Sequence, residues 1–363
     1  MGGFSTPAAA VSNFLGLTDT PPAYAGEALK GARVNVAENA LEFSRMAEER
    51  VFPRVFAVGY QLFAPALCPI AFTDLGCTVD TGAADTGVVG PAWVLLRITG
   101  NANYLFRENG ETKDMTVAKV AGCSCGGAVP DNYVIVPTDE NGLIEWRGDA
   151  VVNTTIQLLA NWNRVPKPEA TIYTGAMPAD WITISTGVPN ALCMLRVEPI
   201  QNMSTWFKLR PTGDIEPHPN GGVTTAPCVA GKCWYTLIIT DSNGQCDLRH
   251  GDVNTCTIIL HSYILGCSFP NLSLAQVSGI MEVATPYSNA VIFCRSERTA
   301  GGGSPSLKFW RHGEVNAFSE SGGLQPRYTN DCYAVLFTDV NGVFDSEGAG
   351  DQINHLTALC VSQ

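Results

Sequence analysis

The sequence predicts an all-β protein, with an extended N-terminal arm followed by three tandem homologous antiparallel β-sandwich domains. Three observations carry this. A ten-residue pattern recurs as "YVIVPTDENG" (133–142), "YTLIITDSNG" (235–244) and "YAVLFTDVNG" (333–342), with starts 102 and 98 residues apart. Five residue types at fixed offsets, three times over, mark the repetition of a whole structural unit. Charged residues are only 15% of the 363, while Gly and Pro number 36 and 22, which suits short strands and many turns better than long helices. Each unit also holds about seven β-favouring runs with turn signals every 8–12 residues, the pattern of a sandwich.

The arm comes first, over residues 1–65. It is rich in Ala, Pro, Ser and Thr and has little core of its own, so it is expected to order against a partner surface. The domains follow at 66–164, 165–268 and 269–363. Between them, "NRVPKPEA" (163–170) reads as a Pro/charge linker and "CSFPNLS" (267–273) as the second junction.

Within each unit the elements are expected in one order. A leading strand ("IAFTDLGCTV", "ADWITIST", "SGIMEVA") precedes an apolar strand ending in Arg ("AWVLLRI", "ALCMLRV", "AVIFCRS"). Those arginines, Arg97, Arg196 and Arg295, are spaced by 99 and 99 residues. An aromatic-basic strand and turn come next ("YLFRENGE", "WFKLRPTGD", "KFWRHGE"). They place Arg107, Arg210 and Arg311 shortly before Gly110, Gly213 and Gly313, with Glu111, Asp214 and Glu314 just after. The strand-end arginines are expected to pair with these acids, as an ion pair within the domain or as a clamp between domains. A weaker strand leads to the Tyr strand and its T-D-x-N-G corner: Asp139, Asn141 and Gly142; Asp241, Asn243 and Gly244; Asp339, Asn341 and Gly342. Asn-Gly favours a type I′ hairpin turn, in which both central residues take positive φ, and Thr and Asp can bond the turn backbone. A short strand, an Asn (Asn153, Asn254, Asn354) and a last strand ("TTIQLLANW", "TCTIILHSYIL", "HLTALCVS") close each unit.

Several function classes are excluded by composition. Net charge is −12, from 22 Lys+Arg against 34 Asp+Glu, the wrong sign for gripping nucleic acid or anionic lipid. No run approaches the ~20 apolar residues of a membrane span, and residues 1–17 lack the basic start of a secretory signal. The start Met1-Gly2-Gly3-Phe4-Ser5-Thr6 fits a loose myristoylation pattern but reads as a small-residue terminus. Thirteen cysteines include Cys123-x-Cys125 and Cys228-x4-Cys233, poor spacings for zinc. Cys193, Cys294 and Cys360 lie in apolar runs and are expected to be reduced core residues. The seven tryptophans sit mostly in apolar runs and are expected in cores or domain interfaces. None of the five histidines shows H-x-x-x-H spacing, and neither G-x-S-x-G nor a phosphate loop occurs. D-x-N-G overlaps the start of a calcium loop but reads as a plain hairpin. No catalytic residue, metal or cofactor is therefore expected.

Residues 14–43, "FLGLTDTPPAYAGEALKGARVNVAENALEF", carry a dense pattern: F-L-x-L-T-D-T-P-x-x-Y-x-G, then V-N-x-x-E-x-x-L-E-F. It resembles a short module of tailed-bacteriophage virion proteins, especially tail fibres and related appendages. The resemblance implies that Phe14, Leu15, Leu17, Thr18, Asp19, Pro21, Tyr24, Asn35, Leu41 and Phe43 anchor the protein to the virion. It further implies a non-enzymatic structural protein, a tail fibre or tail-associated appendage contributing to host attachment. The alternatives are a capsid decoration or head-fibre protein, or a neck or tail connector. Implied partners are other virion proteins (tail, neck or capsid) through the arm, further copies of the chain, commonly as a trimer, and a bacterial surface receptor. The implied location is the virion, after assembly in the host cytoplasm. The repeats also resemble β domains of phage tail and head appendages, through the L-L-R strand, the F-R-x-N-G turn and the T-D-x-N-G-x-x-E-W corner of repeat one. Repeat two departs at Pro211-Thr212-Gly213, and repeat three at Ser346, where repeat one has Trp146.

Overall fold

The computed structural model describes residues 30–34, 41–45, 54–77, 91–115, 131–176, 178–202, 207–214, 223–224, 230–250, 255–265, 267–277, 279–300, 307–313, 331–348 and 353–362. Every regular element among them is a β-strand. The chain divides into two compact units, 1–50 and 51–363.

In the first unit, β1 (Lys30–Val34) and β2 (Leu41–Arg45) form an antiparallel pair. Leu41 stands opposite Val34 and Phe43 opposite Ala32. The other expected anchor residues, from Phe14 to Tyr24 and Asn35, lie outside the described residues.

The second unit holds the three repeats. Repeat one comprises β3 (Arg54–Leu67), β4 (Thr73–Gly76), β5 (Ala92–Thr99), β6 (Tyr104–Glu108), β7 (Asp114–Met115), β8 (Asp131–Pro137), β9 (Leu143–Gly148) and β10 (Asn153–Asn163). Repeat two comprises β11 (Val165–Ala176), β12 (Ile182–Ser185), β13 (Leu192–Pro199), β14 (Phe207–Pro211), β15 (Val223–Thr224), β16 (Lys232–Ile239), β17 (Gln245–His250) and β18 (Thr255–Ile264). Repeat three comprises β19 (Leu272–Val277), β20 (Gly279–Ala284), β21 (Val291–Ala300), β22 (Leu307–Arg311), β23 (Asp331–Phe337), β24 (Val343–Gly348) and β25 (Ile353–Ser362).

One topology occurs three times. The inner sheets run β3-β10-β5-β8, β11-β18-β13-β16 and β19-β25-β21-β23. The outer sheets run β4-β9-β6, β12-β17-β14 (extended by β15) and β20-β24-β22. Register repeats as well as order: Arg97 faces Tyr133, Arg196 faces Tyr235 and Arg295 faces Tyr333. The last strand of each repeat is bulged at one corresponding residue, Leu159, His261 or Leu359.

Each repeat opens with a strand where the sequence suggested a tether. β3 crosses position 65 and bonds to β10, so the first sandwich begins within the segment read as arm. "NRVPKPEA" supplies the start of β11, not a free linker. Pro166 and Pro168 fit there because β11 is an edge strand whose register shifts between Pro166 and Ala170, and an edge tolerates a missing N–H. At the second junction Ser268 bridges to Val361, and β19 begins at Leu272.

The T-D-x-N-G corner is a hairpin of a different kind from the expected type I′. Only the glycine takes positive φ, at 74°, 73° and 80° for Gly142, Gly244 and Gly342. Gly142 N–H donates to the Asp139 carbonyl (3.1 Å) and Asp139 N–H to the Leu143 carbonyl (2.9 Å), with the same bonds in the other repeats. This is a type I turn followed by a left-handed glycine in a bulge. The Asp carboxylate decides it. Asp139 Oδ1 accepts from the N–H groups of Asn141 (2.9 Å) and Leu143 (2.8 Å), which holds the Asn in the ordinary right-handed region. Asp241 and Asp339 do the same. The threonine has another partner: Thr138, Thr240 and Thr338 Oγ accept from Ala92, Ala191 and Ala290 N–H at 3.0–3.2 Å, fixing the start of the Arg strand.

The central strands of the inner sheets, such as β5, β8, β13 and β16, are buried on both faces, which is why they read as continuous apolar runs, whereas the edge strands β3, β11 and β19 are largely exposed. In repeat one Val94, Leu96, Val134 and Val136 fill the sandwich's own core. The alternate residues Trp93, Leu95, Tyr133 and Ile135 belong to a second cluster, together with Met194, Tyr235 and Leu237 of repeat two and Phe293, Tyr333 and Val335 of repeat three. The Tyr133 and Phe337 rings meet across repeats one and three, with centroids 5.8 Å apart. Repeats one and two, two and three, and three and one are thus all in contact around one shared core, rather than strung in a row.

Candidate functional site

The polar chemistry of the second unit concentrates on the seams between repeats, and the strand-end arginines are its centre. Arg196, only 8% exposed, reaches Glu111 of repeat one and also bonds Glu198 (2.8 Å) and Glu169 (2.8 Å) of its own repeat. Burial lowers the pKa of Arg196, but Glu111, Glu169 and Glu198 outweigh it and raise the net value. Arg295 repeats the contact one domain on, pairing with Asp214 of repeat two at 2.6 Å. Tyr333 OH donates to the same Asp214. The expected clamp is therefore realised between domains for the two described acids, Glu111 and Asp214, each reaching the arginine of the next repeat. Arg97 holds the corresponding register in repeat one; Glu314 lies outside the described residues.

A second set of contacts joins repeats one and two alone. Glu108 accepts from Arg164 and lies 2.5 Å from His261 Nε2. His261 Nδ1 is 3.0 Å from Ser262 Oγ, which accepts from Trp93 Nε1–H at 2.8 Å. Burial raises the Glu108 pKa, but His261 and Arg164 more than offset it, leaving the carboxyl below its usual value. A Ser–His–Glu chain of this kind can activate a nucleophile, yet Ser262 has no exposed surface for a substrate to reach. Here it is a strut through the seam. β7 adds to it by pairing in parallel with β16, so repeat one extends the inner sheet of repeat two. Met115 Sδ then lies 3.3 Å from Cys233 Sγ, a thiol that burial pushes up to about 12.

The outer sheets carry a cation ladder in two of the three repeats. Arg107 Nε bonds Glu145 at 2.5 Å, its guanidinium 3.8 Å from the Phe72 ring centroid. Arg210 Nε bonds Asp247 at 3.0 Å and lies 4.2 Å from the Trp181 centroid. In repeat three, register places Trp310 opposite Asp345, where Arg107 faces Glu145 and Arg210 faces Asp247. Arg311, grouped with those arginines in the sequence, is one position out of step. His312 stands instead beside Asp345, with Nδ1–Oδ1 at 3.0 Å.

Of the residues expected to matter, the nine corner residues sit as described above, and Leu41 and Phe43 are on β2. Cys193, Cys294 and Cys360 are buried thiols outside any disulfide, as expected. Cys123, Cys125, Cys228 and Asn254 lie outside the described residues. Glu108, Arg164 and His261 were not singled out. The signal for His261 was available: it stands where the sister repeats have Leu159 and Leu359.

No family model matches this chain, and no curated protein does. A solved structure reported as similar is that of the STIV MCP, at 10% identity and a TM-score of 0.22, covering 59% of this chain and 97% of that one. At that level the likeness carries no argument, and function has to be read from the residues.

Proposed function

We propose that this is a non-enzymatic bacteriophage virion structural protein, in which residues 1–50 attach to the particle and residues 51–363 form the body it carries. The observation that supports this best is the shared core. Three sandwiches whose central strands are covered on both faces make one block, with turns, edge strands and outer sheets left for contact. Surface loops on such a scaffold are where binding specificity is placed. The phage-like pattern at 14–43 supplies the link to the virion. A tail-associated appendage contributing to host attachment fits best, because an anchoring segment precedes a bulky body in the chain. The inner faces of the repeats already cover one another, so association between copies is expected to use the arm or the outer sheets.

Deletion of residues 1–45 tests the reading. The truncated protein is expected to stay folded and β-rich by circular dichroism while failing to join particles. Normal incorporation would refute the anchor. Labelled particle images then separate the positions, since a tail appendage is present in far fewer copies than a shell decoration.

A further inference from the structure

We propose that Glu282, His312 and Asp345, on the outer sheet of repeat three, bind a divalent transition-metal cation. No metal was expected from sequence, because these residues lie far apart in the chain. Folding brings them together. Glu282 on β20 stands directly opposite Asp345 on β24, and His312 follows the end of β22. His312 Nδ1 lies 3.0 Å from Asp345 Oδ1 and 3.9 Å from Glu282 Oε1, and the three ligand atoms fall within 4.8 Å of one another. In a tetrahedral zinc site, bonds of about 2.0–2.2 Å put neighbouring ligand atoms about 3.3 Å apart, so only a small adjustment is needed. Glu282, 72% exposed, is free to make it. Gly313 N–H donates to Asp345 Oδ2 at 3.2 Å, which orients the carboxylate from behind.

The sister repeats give an independent reason to place a cation here. In repeat one an acid pair stands in the same register, Asp74 opposite Glu145, and the Arg107 guanidinium bonds Glu145. In repeat two Arg210 bonds Asp247 at the matching position. Both therefore hold a positive group from their own chain against the equivalent carboxylate. Repeat three keeps two acids opposite each other, an unfavourable arrangement for like charges, puts Trp310 in the arginine's register, and sets against Asp345 a histidine that is cationic only when protonated. It adds an imidazole, which suits zinc, nickel or copper better than magnesium or calcium. Three protein ligands would leave a fourth position to water or to a neighbouring protein. This inference stands on register and distance and is independent of the virion reading.

The test is calorimetric titration of the full-length chain with zinc at neutral pH, with a non-chelating reductant present. His312→Asn and Glu282→Gln are run in parallel, each checked for an unchanged β spectrum. The wild type is expected to bind one zinc, and each substitution to weaken binding at least about ten-fold. Glu282 is exposed, so its variant keeps the comparison valid even if His312→Asn disturbs the fold. Zinc held by thiols would survive both changes. Equal isotherms in all three proteins, or no saturable heat in the wild type, would overturn the proposal.

Discussion

Single residues explain why the corner was repeated so faithfully. Tyr anchors the inner face opposite Arg, Thr ties down the next strand, Asp bonds two turn amides, and Gly takes the left-handed conformation. The glycine has a second constraint in two repeats. A Cβ on Gly342 would lie 2.6 Å from the Thr285 carbonyl oxygen, and one on Gly244 2.7 Å from Val188 N, whereas Gly213 has open space. Gly213→Ala should therefore cost only the left-handed penalty, about 1–2 kcal/mol. Gly342→Ala should add a packing cost of about 1–3 kcal/mol, and chemical denaturation of the two variants measures the difference. Glu108 makes a residue-scale expectation about pH. Its pKa is lowered from 4.5 in the folded state, so the stability it contributes is present above that value and lost as pH falls through the lower folded one. Glu108→Gln should flatten the acid limb of a stability–pH profile below about 4.5, the ordinary Glu value. An unchanged limb would mean the carboxyl is not held by His261 and Arg164.

Elements were legible in the sequence to the extent that their information is local. The Arg strand, the Tyr strand and the corner were readable because burial and turn chemistry leave a short, dense pattern. The opening strands were not, since "NRVPKPEA" carries two prolines that argue against a strand unless it is known to lie at a sheet edge. The turn type was missed because Asn-Gly alone favours type I′, and the Asp three residues before the glycine outbids that preference with two hydrogen bonds. The clamp was readable as a pairing of residue types, but not which repeat supplied the acid. Its strength can be measured. Arg196→Met removes the cation shared by Glu111, Glu169 and Glu198. Lys113 still pairs with Glu198, so the loss should stay at or below the cost of a fully broken buried pair, about 3–5 kcal/mol. Replacing Glu111 by Gln in the same background should recover part of that loss, and a double-mutant cycle reads the coupling.

At the scale of the whole second unit, the continuous apolar character of "AWVLLRI" and "ALCMLRV" was the clue to mutual packing. A sandwich standing alone in water needs only one buried face per strand, so alternation would have been enough. Both faces are apolar because each inner sheet serves two cores. Each large side chain covered in this way contributes about 1.5–3 kcal/mol, so the repeats should not behave as independent beads. Repeat two expressed alone (165–265) would expose Met194, Tyr235 and Leu237, and light scattering should find it self-associated or unfolded. The unit 51–363 should instead melt in one cooperative transition, with reductant making little difference because nine of the cysteines among the described residues are in thiol form.

The closure of three repeats around one core can be tested at its least local contact, the meeting of Tyr133 with Phe337. A double-mutant cycle of Tyr133→Leu and Phe337→Leu in the full chain should return a coupling of about 0.5–1.5 kcal/mol, as expected for a buried aromatic pair. Additivity within about 0.3 kcal/mol would mean the first and third repeats do not touch, and the shared core would have to be abandoned.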